Sequence, residues 1–267
     1  MSRTPVLFIS HGAPTFALEP GQLGPRLVAA GETLPRPRAV LVVSPHWMTR
    51  GAVGVATTAA PETVHDFGGF DRALYGIQYP APGHPELAAR TIEVLRAAGW
   101  PVDADANQGL DHGAWVPIRF LYPRADVPVF QVSLPAGLSA EQAYALGQAL
   151  APLRDEGVLV VGSGSMTHNL YEFRMTGDGA EAEYAREFAA WVRQAVEARD
   201  DARLQRTLEI APHAQRAHPT TEHFLPLLVA AGAAAGEEEV QTLEGGITYG
   251  VLSMDSFLFG APAQEAR

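Results

Sequence analysis

Apolar positions in this chain gather into short, unbroken runs. Residues 6–10 (Val-Leu-Phe-Ile-Ser) form one, residues 39–44 (Ala-Val-Leu-Val-Val-Ser) a second, and residues 158–161 a third that leads into Gly162-Ser-Gly-Ser-Met-Thr-His168. Runs of this length, rich in branched side chains and apolar at consecutive positions, predict strands covered on both faces, as in parallel sheets with helices on either side. The opening therefore predicts strand, loop, helix, strand. Ser139 precedes Gln142 by the spacing of a capping box, and the helix it opens is expected to close at Gly157. Residues 85–98 predict an earlier helix ended by Gly99, and residues 181–199 a long amphipathic one. Thr221 is the expected cap of a helix over residues 222–231, which puts His223 in its first turn. The alternation over residues 240–259 predicts two closing strands, with Gly245-Gly246 as a turn.

The Gly- and Pro-rich stretch 51–83 predicts a long functional loop rather than a linker. No repeat, low-complexity tract or domain boundary interrupts the pattern. The expectation is one α/β domain over residues 1–267, with a central, mostly parallel mixed sheet flanked by helices. Ligands in such folds bind beyond the carboxyl ends of the strands. His11, His46 and His168 stand at or just after three such ends.

Composition narrows the chemistry. The sequence has no cysteine, and all 19 basic residues are arginine. That excludes disulfides, thiolate nucleophiles, iron–sulfur clusters, Schiff-base lysines and a lysine-bearing phosphate loop. A net charge of −11 argues against nucleic acid as a partner. No apolar run approaches the roughly 18 to 20 residues needed to span a bilayer, and the start lacks a signal-peptide pattern, so the expectation is a cytoplasmic protein without a membrane partner. Histidine, carboxylate, serine and metal remain for hard chemistry. Gly162-Ser-Gly-Ser-Met does not match the Gly-x-Ser-x-Gly nucleophile elbow, which leaves Ser163 and Ser165 unsupported as nucleophiles.

Five histidines, at positions 11, 46, 112, 168 and 223, sit in turns or helix starts containing Gly, Pro or Trp. Asp111 is the expected N-cap of an apolar helix that begins beside His112. Each position alone also suits a capping or surface role. Together, with no thiolate available, they suit a nitrogen-ligated metal site with open positions, for iron or catalytic zinc. No His-Glu-x-x-His signature is present, so the ligands must come from distant loops. Of the other four histidines, His65 could line a pocket from the long loop, His84 has a helix-capping context, and His213 and His218 are expected at the surface.

Six motifs carry a resemblance to a known family. Ser10-His11-Gly12-Ala13-Pro14, Ser44-Pro45-His46-Trp47 and Tyr79-Pro80-Ala81-Pro82-Gly83 come first in the chain. Gly109-Leu-Asp-His-Gly-Ala-Trp-Val-Pro117, Gly162-Ser-Gly-Ser-Met-Thr-His168 and Glu222-His223-Phe224-Leu225-Pro226 follow. In this order they resemble the LigB-type class III extradiol ring-cleavage dioxygenases, and within them the DOPA 4,5-dioxygenase branch. The resemblance implies one divalent metal held by His11, His46 and His223, with Fe(II) expected for catalysis and Zn(II) plausible as the bound species. It implies His168 as acid/base or fourth ligand, His112 as a catalytic residue in the substrate pocket, and His65, Phe67 and Tyr79 shaping that pocket. The partners it implies are O₂ and a catechol, opened to a muconic semialdehyde. The wider family uses two histidines and a carboxylate; here His223 takes the third place and Glu222 is expected to point elsewhere. A zinc hydrolase on the same histidines and a non-catalytic binding protein are the alternatives left open. Arg50 and Arg174 stand near these motifs by sequence position only.

Overall fold

A computed structural model describes residues 3–260 apart from 174–179, 235 and 237. The strands are β1 (Val6–Ser10), β2 (Ala39–Thr49), β3 (Val53–Ala56), β4 (Val102–Asp105), β5 (Val129–Pro135), β6 (Val158–Gly164), β7 (Val240–Leu243), β8 (Ile247–Thr248), β9 (Leu252–Ser253) and β10 (Ser256–Phe259). Eight of them make one sheet in the order β4-β3-β5-β2-β6-β1-β10-β7, while β8 and β9 form a separate two-stranded ribbon. The centre is parallel: β5, β2, β6 and β1 all run the same way. The closing strands β10 and β7 are antiparallel, as is the β3–β5 junction. This is the mostly parallel mixed sheet expected from the sequence.

Among the described residues ten α-helices accompany it. They are α1 (Leu23–Thr33), α2 (Arg72–Tyr75), α3 (Pro85–Ala97), α4 (His112–Leu121), α5 (Ala140–Leu150), α6 (Glu183–Glu197), α7 (Asp201–Gln205), α8 (Thr207–Ile210), α9 (Ala214–Ala217) and α10 (Leu225–Ala233). Alternate side chains of each central strand enter two separate cores. Val6, Phe8, Leu41 and Val43 pack with residues of α3, α5, α6 and α10, whereas Leu7, Ile9, Val40 and Val42 pack with those of α1 and α4. Both faces of the strands are buried, which is why their sequence runs are continuous rather than alternating. Among the described residues no helix is long and apolar enough to cross a membrane.

Caps set several boundaries as expected. Ser139 and Gln142 form a reciprocal capping box, Asp111 accepts from the Ala114 N–H, and His84 caps α3 through the Leu87 N–H. Five expectations need correction, the first being residues 240–259, which hold four strands, β7 to β10, where two were expected. The stretch 51–83 is not all loop, since β3 and α2 lie within it. Gly162 to Gly164 finish β6 instead of forming a turn. A side chain at Gly162 would meet the Pro226 carbonyl oxygen at 2.0 Å, so glycine there lets α10 lie directly on the strand. β2 runs past Ser44 to Thr49 through an irregularity in register between Ser44 and Met48, so His46 sits inside the strand's distorted end. α10 begins at Leu225, because Thr221 to Phe224 fold as a separate turn closed by the Phe224 N–H on the Thr221 carbonyl, and His223 belongs to that turn.

Candidate metal centre

Because β2, β6 and β1 are parallel neighbours, their carboxyl ends share one edge of the sheet. His11 follows β1, its N–H bonded to the Gly164 carbonyl at 3.0 Å. His46 projects from the irregular end of β2. His112 is the first residue of α4. The turn carrying His223 is tied to the end of β6, where the Ser165 N–H donates to the His223 carbonyl at 2.8 Å. His168 is held by its backbone N–H on the Ala217 carbonyl, also 2.8 Å. The five histidines named from sequence thus meet around one cavity of about 340 Å³.

Their imidazoles are oriented from behind. The Ser163 hydroxyl donates to the Gly113 carbonyl, so toward His11 Nδ1, 3.0 Å away, it can only accept. Glu222 Oε1 lies 3.1 Å from His223 Nδ1, and Asp66 Oδ2 lies 3.4 Å from His46 Nδ1. Each Nδ1 thus faces an acceptor, through a hydrogen bond for His11 and His223 and at ion-pair distance for His46, which turns each Nε2 to the cavity. These three nitrogens converge: His11 Nε2 and His46 Nε2 are 3.1 Å apart, and the candidate ligand atoms of His11, His46 and His223 all lie within 4.8 Å of one another. His223 Nε2 is buried without a hydrogen-bond partner.

Burial holds His11 and His223 well below the usual imidazole pKa, with neighbouring imidazoles adding to the effect. Burial and the His112 ring push His46 down to about 3, against the opposing pull of Asp66. Neutral imidazole is the form that binds metal. Two bare nitrogens at that separation repel unless a cation lies between them, and metal–nitrogen bonds of about 2.0–2.1 Å place adjacent ligands roughly 3.0–3.4 Å apart. The donor set, the orphaned Nε2 and the spacing all fit one divalent ion.

The remaining residues divide the cavity into a polar floor and apolar walls. His168 stacks on His223 with ring centres 3.5 Å apart and planes within 7°. Burial lowers its pKa to about 4, with Glu222 opposing. His112 Nδ1 is 3.0 Å from Asp66 Oδ2. Burial works against ionisation of Asp66, but the hydrogen bonds from the His112 side chain and backbone outweigh it and hold the carboxyl below its ordinary value. Phe67, Phe70, Leu170, Phe173 and Leu252 form the walls.

Two expected pocket residues do not line this cavity. Tyr79 is 2% exposed, and its hydroxyl donates to the Tyr122 carbonyl at 2.9 Å within the core. Burial drives its pKa far up. His65 turns away to the Ile77 carbonyl and packs edge-on to Phe67 and Trp115. Phe67, expected at the pocket, lines it, and Phe70 joins it. Glu222 does not point elsewhere but meets His223 Nδ1. His218 is buried, not exposed, with Nε2 on the Met166 carbonyl at 3.0 Å, while His213 is exposed as expected, beside Glu187. Arg50 is exposed, and Arg174 lies outside the described residues. Sequence reasoning missed Asp66, Ser163 as the acceptor for His11, and Phe70. Asp66 had one signal, its place between His65 and Phe67.

A family model described as the catalytic LigB subunit of aromatic ring-opening dioxygenase matches residues 22–252. The chain belongs to the LigB family. A relative from Escherichia coli (strain K12), named 4,5-DOPA dioxygenase extradiol, is 40% identical over 261 residues, covering 97% of this chain and 96% of its own. A protein of the same name from Beta vulgaris is 39% identical over 256 residues, covering 94% and 95%. The crystal structure of an uncharacterized Escherichia coli K12 protein superposes with a TM-score of 0.80 at 35% identity, covering 97% of this chain and all of that one. As a LigB-family member this protein is an oxidoreductase of the extradiol ring-opening type.

Proposed function

We propose that this LigB-family enzyme joins O₂ to a DOPA-like or otherwise substituted catechol and releases a muconic semialdehyde, with residues 1–267 acting as one catalytic domain in the cytoplasm. One divalent ion, Fe(II) in the working enzyme, is held by His11, His46 and His223. When bound, the ion supplies Lewis acidity toward the catechol oxygens and the redox capacity that O₂ chemistry needs. The observation that carries this reading is the convergence of three neutral imidazoles, with His11 Nε2 and His46 Nε2 at 3.1 Å, at the floor of an apolar cavity. The names of the relatives, 4,5-DOPA dioxygenase extradiol, support the catechol class.

The protein's own groups do the rest. Phe67, Phe70, Phe173 and Leu252 sandwich an aromatic ring and exclude water, which strengthens each polar contact beneath it. His112 offers Nε2 to a substrate oxygen, because its Nδ1 is engaged by Asp66. The ring of His168 has no hydrogen-bond partner among the described residues, and it is neutral near pH 7 because its pKa is lowered to about 4. It is thus free to accept a proton from a substrate hydroxyl and return it later in the cycle. Positioned proton transfer of this kind contributes about 10²- to 10⁴-fold in rate.

The test is oxygen uptake by protein reconstituted anaerobically with Fe(II) or Zn(II) and then given a panel of catechols that includes DOPA. Fe(II)-dependent uptake with a yellow semialdehyde product is expected. Absence of uptake with every catechol, despite one equivalent of bound iron, rules the reading out. In the same assay His168→Ala is expected to keep its metal and lose about 10²- to 10⁴-fold in kcat. Wild-type turnover in that variant would remove the acid/base role.

A further inference from the structure

Asp66 presents one carboxylate to two histidines of the site. Oδ1 accepts the backbone N–H of His112 at 2.9 Å, and Oδ2 lies 3.0 Å from His112 Nδ1 and 3.4 Å from His46 Nδ1. The two rings lie close, with centres 3.9 Å apart and planes tilted by 45°. Contact between two neutral imidazoles does not by itself fix which nitrogen of each is protonated. The shared carboxylate oxygen does fix it: it is hydrogen-bonded to His112 Nδ1 and faces His46 Nδ1 at ion-pair distance, so a proton on each Nδ1 points toward the same negative charge.

The backbone around Asp66 is built to hold that position. Thr63 bridges to Leu110, the Val64 N–H donates to the Leu110 carbonyl at 2.8 Å, and the Leu110 N–H donates to the Glu62 carbonyl at 2.8 Å. The Trp115 indole N–H donates to the Val64 carbonyl at 3.0 Å. Residues 62–66 are thereby strapped along residues 110–115, which sets Asp66 against the start of α4. On the far side of Asp66, Phe67 enters the cavity wall.

We propose that Asp66 is a positioning residue that locks His46 and His112 into one unit, with both Nδ1 atoms protonated and both Nε2 atoms turned to the site. This rests on the metal assignment of His46 and on the substrate-facing place of His112 given above. The carboxylate acts through the two rings, and the link runs between the ion and the substrate: any tilt of one imidazole moves the other by way of the same oxygen. Ligation through His46 and orientation of the substrate by His112 are consequently not independent.

Three measurements test this. The first is the ¹⁵N spectrum of the histidines in the Zn(II)-loaded wild-type protein, which needs no turnover. His112 is expected as the Nδ1–H tautomer, and observing it as Nε2–H overturns the proposal outright. The second is the Asp66→Asn variant, which keeps the shape of the side chain and removes its charge. Chelator competition with Zn(II) should show metal affinity weakened about 10-fold, and the loaded Fe(II) enzyme should lose about 10- to 100-fold in kcat with little change in KM. Metal affinity unchanged in Asp66→Asn, with the wild-type His112 tautomer retained, would sink the idea whether or not any catechol is turned over. The third is the pair with His112→Ala. If Asp66 acts through His112, adding Asp66→Asn to that variant costs less than about 3-fold more in kcat, whereas a merely structural strap gives losses that multiply. If wild-type protein with bound iron opens no catechol, the dioxygenase reading fails while the tautomer and metal-affinity results still decide the role of Asp66.

Discussion

At the scale of single residues, the site depends on which atom of each imidazole is occupied from behind. Sequence motifs located the five histidines, because each stands in a short segment containing Gly, Pro or Trp that follows a strand or leads into a helix. The acceptors behind them were not legible. Asp66 and Ser163 come from segments that only the folded chain brings close, and Glu222 depends on a turn where a helix was expected. His218 shows the same limit: its neighbours Ala217 and Pro219 say nothing about burial, yet its Nε2 reaches the Met166 carbonyl inside the core. Burial lowers its pKa to about 4, with the Met166 carbonyl partly opposing. A histidine harder to protonate when folded than when unfolded makes the unfolded chain take up more protons between about pH 6.5 and 4. Stability is therefore complete above that window and is lost as the pH falls through it. From this one residue the loss is about 2 kcal/mol between pH 7 and pH 5. Denaturant unfolding of wild type and His218→Gln at the two pH values isolates the contribution, since the metal-site histidines are common to both. An equal loss in the variant would show that His218 is not the responsible group.

Between elements, the decisive contact is β6 against the turn that carries His223. The hydrophobic run 158–161 predicted the strand, but the Gly and Ser residues after it resembled a turn when read along the chain. Their reason lies across the sheet. A side chain at Gly164 would come within 2.4 Å of the His223 carbonyl, and one at Gly162 within 2.0 Å of the Pro226 carbonyl. The two glycines let α10 and its preceding turn settle onto the strand, and the Ser165 N–H then pins the His223 carbonyl. Helical and strand periodicity describe how an element faces its own core. They carry no record of the backbone that will lie on top, so this close approach was invisible. Gly164→Ala is expected to cost about 1–3 kcal/mol of folding stability by overpacking. It should also weaken metal binding, because the strain is relieved by moving His223. Urea unfolding and chelator competition measure the two effects separately. A variant destabilised in this range with wild-type metal affinity would mean that something other than β6 places His223.

For the whole molecule, the sheet brings together ligands that are far apart in sequence. His11 follows β1, His46 lies in the distorted end of β2 and His223 precedes α10, so an ion bound to all three ties the first strand to the last third of the chain. The parallel centre was legible from the doubly buried runs, and it implied a site at the carboxyl edge. The short strands β3 and β4 at one side of the sheet were not legible, since four residues each, all buried in β3 and mixed in β4, carry too little pattern. The unfolded chain cannot assemble three ligands so widely separated, and metal binding must add directly to folding stability. The gain is RT ln(1 + [metal]/Kd), about 4 kcal/mol when the free ion is a thousandfold above Kd. For a chain of this size that corresponds to roughly 8–16 °C in Tm, taking about 2–4 °C per kcal/mol. Thermal unfolding with and without Zn(II) is expected to show this rise in wild type and to lose it in His223→Ala. A rise that persists in His223→Ala would place the ion on the other histidines, with His223 outside the ligand set. No rise in wild type, at a zinc concentration where one equivalent is bound, would mean that the ion binds the unfolded chain equally well, a result that three ligands separated by most of the sequence do not allow.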